Sequence, residues 1–132
     1  MKRQPEPTFS TKNTTKGKLP SLPFKRIKEE ILGMDYEVSL VFVGANRSRT
    51  LNKTHRDKNA PANILTFPLG AHDGEIFITP SEARKDAQKF GRTYKKFLAD
   101  LFIHGLFHLK GDMHGSRMKR HETLVRRKFH IE

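Results

Sequence analysis

Residues 94–109 carry the pattern that most restricts how this chain can fold, because apolar side chains recur there at helical spacing over about four turns. Leu98, Phe102 and Leu109 fall on one stripe, and Phe97, Leu101, His104 and His108 on the stripe beside it. Residues four apart share a helix face, so the two histidines point the same way. Gly111 then supplies the left-handed backbone that commonly closes a helix, and the chain turns through Asp112 and Met113 to bring back His114.

Side chains four residues apart on a helix lie about 5–6 Å from each other at Cβ. His104 and His108 can therefore reach one ion through bonds of about 2.0–2.1 Å, and His114 becomes available as a third ligand past the helix stop. Three histidines leave the fourth tetrahedral position open, which is the form of a catalytic site rather than a closed structural one. The expected ion is one divalent transition metal, zinc first; imidazole also suits nickel, copper and iron. Zinc peptidases use the same spacing in the HExxH signature, where the glutamate after the first histidine is the general base. Here that position is Gly105, so the ordinary peptidase base is missing.

No cysteine is present, which excludes a disulfide framework, a thiolate metal site and a cysteine nucleophile together. The 132 residues and 35% hydrophobic content suit one domain with a core of moderate size. Twenty-six Lys and Arg against fourteen Asp and Glu give a formal charge of +12, a field that concentrates polyanions and speeds their encounter. Nucleic acid is the expected partner, with solubility alone and an anionic membrane surface as competing explanations. No apolar run approaches the roughly 18 to 20 residues that span a bilayer, and the N-terminus lacks the apolar stretch of a secretory signal. A soluble, cytoplasmic protein is expected.

Residues 1–23 are polar and basic with four prolines, and read as a flexible basic tail. Residues 24–132 then form the single domain. Phe24, Ile27, Ile31 and Leu32 have helical spacing with Gly33 as a stop, residues 38–43 alternate as a strand, and residues 46–55 make a short helix with Asn46 as its cap. Residues 63–69 and 75–79 are two apolar runs joined by a turn containing Gly70, His72, Asp73 and Gly74, with Pro68 marking an edge or irregular strand. A helix capped by Thr79 or Ser81 runs from Pro80 to a stop at Gly91. The C-terminal segment interleaves Arg117, Lys119, Arg120, Arg126, Arg127 and Lys128 with apolar residues as a basic amphipathic helix, either a solvated face or an RNA-binding one. The fold class is α+β: a small mixed sheet packed with helices, and a histidine-bearing helix followed by a tight turn in a zincin-like arrangement.

Residues 104–114, HGLFHLKGDMH, resemble the HGxLHLxGxDH signature of the YbeY family of bacterial endoribonucleases, which act in ribosomal RNA maturation. Residues 51–68, LNKTHRDKNAPANILTFP, are similar to that family's LNxxYRxKxxPTDVLSFP segment, and residues 74–78, GEIFI, to its GDIxI strand. Three positions depart from the pattern. Met113 replaces the aspartate before the third histidine, with Asp112 one place earlier; Asn63 replaces the TDV aspartate; and Glu75 replaces the GDI aspartate.

The resemblance implies a metal-dependent, single-strand-specific endoribonuclease whose partners are ribosomal RNA and proteins of the ribosomal small subunit, with no DNA and no membrane. His104, His108 and His114 would hold the ion, and Arg56, at the matching family position, would engage the scissile phosphate, where a guanidinium complements growing negative charge. Asp112 or Glu75 would support or deprotonate. A surface arginine, or one whose salt bridge orders the loop, is the competing reading of Arg56. Two other classes stand beside the enzyme. A metal-dependent peptidase or amidohydrolase would need a base such as Glu75 near the ion. A non-catalytic RNA-binding assembly factor with a structural metal would need a fourth protein ligand, for which His72 is the candidate.

Overall fold

The computed structural model describes residues 8–111 and 115–132. Its elements in chain order are β1 (Phe9–Asn13), α1 (Phe24–Leu32), β2 (Glu37–Phe42), α2 (Ala45–Arg56), β3 (Ile64–Gly70), β4 (Asp73–Ile78), α3 (Pro80–Lys89), α4 (Tyr94–Lys110) and α5 (Ser116–Lys128). The strands form one sheet in the order β1-β2-β4-β3, with β1, β2 and β4 parallel and β3 antiparallel to β4. This is the expected α+β class: one mixed sheet and five helices among the described residues.

Alternation along the strands divides the core between the two faces of the sheet. Val38, Leu40 and Phe42 of β2, with Ile76 and Ile78 of β4, pack under α4 beside side chains of α1, α3 and α5. Val43, Leu65 and Phe77 face the other way and meet Leu51 of α2. The stripes read on α4 account for its central position: Leu98, Phe102, Ile103 and Leu106 are fully buried, and each such side chain contributes about 1.5–3 kcal/mol. α4 starts at Thr93, whose hydroxyl accepts from the Lys96 amide at 3.2 Å. It stops at Gly111, where φ is +97°, in the left-handed region expected of it.

Two local expectations change. The chain from Phe9 to Asn13 is not tail: it forms β1, paired in register with Val38 to Phe42, and Phe9 packs against Phe102 with ring centroids 6.1 Å apart. Also, α2 is entered from Gly44, not Asn46, and no side chain caps it. Its anchorage comes from Ser48 and Asn52, which bond the backbone of Ala62 and Ala60. The edge position expected of Pro68 is observed, with the β3–β4 register shifting between Pro68 and Gly70.

Candidate metal centre

Because α4 lies over β3 and β4, the face carrying His104 and His108 opens beside the outer strand β3. The two Nε2 atoms approach to 3.0 Å. Two ligands at about 2.0–2.1 Å from one tetrahedral ion stand roughly 3.3 Å apart, so these nitrogens already have close to the separation a shared ion requires. The donor set fits the expected metal. His114 and Asp112 lie outside the described residues, and among the described residues no group of three or more His, Asp or Glu converges as a metal site.

Glu122 of α5 supplies what the motif alone does not reveal. Its Oε2 lies 3.2 Å from Nδ1 of His104, in a position where its side chain is only 11% exposed. A carboxylate only accepts, so in the neutral ring the proton sits on Nδ1 and the Nε2 lone pair faces the cleft. Carboxylate support of this kind fixes the tautomer and orientation of a ligating imidazole. Sequence reasoning assigned that support to Asp112 or Glu75 and passed over Glu122. The available signal was its position as the single acid between residues 115 and 131, four residues after the apolar Met118.

A cleft of about 400 Å³ is lined by Arg56, Ile64, Leu65, Thr66, Pro68, His104, Gly105 and His108. Arg56, at the end of α2, reaches past the sheet edge: its Nη2 donates to the Thr66 carbonyl at 2.8 Å, and its guanidinium lies 5.6 Å from the Phe67 ring centre. Among the described residues Arg56 makes no ion pair, so the loop-ordering salt bridge is not what holds it. Gly105 forms the floor. A Cβ there would come within 2.9 Å of Ile64 Cδ1 and 3.0 Å of Thr66 Cγ2, so the position an HExxH glutamate would occupy is filled by β3.

The remaining candidates separate from the cleft. Glu75 pairs across the sheet with Phe67, while its neighbours Gly74 and Ile76 face α4. Strand alternation therefore turns Glu75 to the α2 side, away from the histidines, which corrects the catalytic assignment. His72 is exposed in the turn before β4, edge-on to Tyr36, and joins no metal-binding group among the described residues. Asn63 donates to Asp86 of α3 at 2.7 Å; an aspartate at that position would set two carboxylates face to face.

Fold and site together define a small α+β domain that brings two converging imidazoles, one backed by a carboxylate, and a guanidinium to one cleft at a sheet edge. The chain belongs to the endoribonuclease YbeY family, whose family model matches residues 8–130. It is 33% identical over 109 residues to an endoribonuclease YbeY from Thermotoga maritima, covering 80% of this chain and 71% of that protein. It is 40% identical over 86 residues to one from Nitratiruptor sp., covering 62% and 60%. The alignment to a Thermotoga sp. relative covers 59% of that protein's own length. The solution structure of a Thermotoga maritima protein superposes with a TM-score of 0.64 at 26% identity, covering 89% of this chain and 85% of that one.

Proposed function

We propose that this chain is a metal-dependent endoribonuclease that cleaves single-stranded regions of ribosomal RNA during maturation of the small ribosomal subunit, in the cytoplasm, with zinc as its ion. The observation that carries the reading is the 3.0 Å approach of two imidazole Nε2 atoms inside the cleft that Arg56 lines. Relatives named endoribonuclease support the reaction class.

His104 and His108, with His114, would hold the ion, and Glu122 keeps the His104 lone pair aimed at it. Once bound, such an ion polarises a phosphoryl oxygen or acidifies a water. Arg56 engages the phosphate. A guanidinium has five N–H donors in a fixed fork, of which the Thr66 carbonyl takes one, and the rest can meet the equatorial oxygens where charge grows. Its hold on the Thr66 carbonyl of β3 fixes the fork before substrate arrives. Ile64 and Pro68 give the cleft apolar walls, which strengthens these electrostatic contacts.

The test is cleavage of a ribosomal RNA fragment with single-stranded and paired regions, with bound metal measured by mass spectrometry. His108→Ala loses metal and cleavage together. Arg56→Ala keeps its metal and slows by about 10²–10³-fold, as for loss of one charge-stabilising donor. A metal-loaded wild type that binds this RNA and cuts it no faster than the chelated protein would replace the enzyme with a non-catalytic assembly factor.

A further inference from the structure

The cations of this chain are not equally available. Arg92 and Arg126 meet Asp100, Arg127 meets Glu132, Lys128 meets Glu30 and Lys85 meets Glu82. On helix α2, Arg47, Arg49, Lys53 and Arg56 are exposed and make no ion pair among the described residues, as is also true of Lys89, Lys95, Lys119 and Arg120 elsewhere; α2 is set apart by where its cations lead, because Arg56 lines the histidine cleft. Asp57, which closes the helix in the left-handed region, is the single acid of the segment and pairs with none of them.

Arg49, Lys53 and Arg56 follow one another at spacings of four and three, so they form one stripe along the helix. A rise of about 1.5 Å per residue places them about 6 Å and then 4.5 Å apart along the axis, so one extended strand can meet all three. Ser48 and Asn52, about a quarter-turn away, clamp α2 to the loop at Ala60 and Ala62, which leaves this stripe facing water on a fixed support. The stripe ends at Arg56, which carries it around the open edge of β3 into the histidine cleft.

We infer that α2 is the track along which single-stranded RNA enters the cleft, with Arg49 and Lys53 each holding one backbone phosphate ahead of the phosphate at Arg56. This rests on the nuclease reading and adds where the substrate lies. The contacts are to phosphates alone, so the track selects for a flexible strand that can bend round the sheet edge and reads no base.

The experiment titrates the full-length, metal-loaded protein into a labelled 2′-O-methyl single-stranded RNA followed by fluorescence anisotropy, over a range of salt, with a gel to verify that the RNA stays intact. Arg49→Gln/Lys53→Gln is compared with Lys89→Gln/Lys95→Gln, an equal loss of charge beyond the far end of the His104 face, where Lys95 stands about 14 Å from His104 along α4. Two lost phosphate contacts lower the slope of log K against log salt by about 1.4 and weaken binding about tenfold near physiological salt. The Lys89/Lys95 variant stays near wild type, and unchanged melting temperatures show that both variants fold. Equal weakening in the two variants, or none in the α2 variant, overturns the track and leaves the nuclease reading standing. Normal dependence on Arg49 and Lys53 in a protein that cuts no RNA sinks the nuclease reading and leaves the track.

Discussion

Glu122 shows how much one side chain can decide at a candidate metal centre. It is largely buried, it receives the Nδ1 side of His104, and it belongs to a helix that is otherwise strongly basic. Replacement by glutamine removes the charge and keeps the shape, so metal affinity should weaken about 10–100-fold in competition with a chromophoric chelator. Unchanged affinity alongside a lowered melting temperature would reduce Glu122 to a packing residue. Lys28 of α1 is the opposite case: it is fully buried, and its Nζ finds no hydrogen-bond partner among the described residues. Burial lowers its pKa from the ordinary 10.5, with Glu29 and Asp35 opposing the shift. The unfolded chain therefore takes up the proton first as pH falls below 10.5, so stability drops through that alkaline window and levels off below the folded pKa. Lys28→Met should raise stability at neutral pH by about 1 kcal/mol or more and flatten the alkaline dependence in urea melts. A variant less stable than wild type at neutral pH would refute this. The pair His104 and His108 was legible in the sequence because helix geometry alone sets their approach. Glu122 was not, because its contact crosses between two helices, and no spacing rule reports that distance.

Among the elements, α4 was the most legible, since its stripes, its Thr93 start and its Gly111 stop all agree. β1 was the least. Its sequence, FSTKN, has one apolar residue, and its first residue is half-buried while the rest are exposed. Nothing in such a segment asks for a strand; β2 provides the ladder, and Phe9 fastens it through Phe102 and α1's Phe24, themselves 5.1 Å apart. Removal of residues 1–13 should thus cost about 2 kcal/mol or more of stability, read as a lower urea midpoint. A true tail would come off without loss. The polar clamp of α2 was equally hidden, because Ser48 and Asn52 look like surface residues until the loop at Ala60 folds back on them.

For the whole molecule, the proposed metal ties binding to stability. On the proposed reading, an ion held at His104 and His108 would bind the folded chain and not the unfolded one, and at a hundredfold excess over Kd would contribute about 2.7 kcal/mol. Zinc should raise the melting temperature of the chelated wild type by several degrees and leave His108→Ala unmoved; equal response of both would place the ion elsewhere. The two-faced core was legible as a class, because the alternating strands and the apolar stripes of α4 require layers. The cleft was not, since Arg56 and the histidines come from segments on opposite sides of the sheet and meet only because β3 is outermost. That outermost position carries a hazard of its own. A strand with one side unpaired is a template for a second copy of the same chain. Here the free side is blunted at three successive points: Arg56 occupies the Thr66 carbonyl, Pro68 lacks an amide hydrogen, and the register breaks before Gly70. The arginine that faces the cleft therefore also covers one of the open positions of that border, and a protein stripped of it exposes the Thr66 carbonyl while Pro68 and the register break still interrupt the rest.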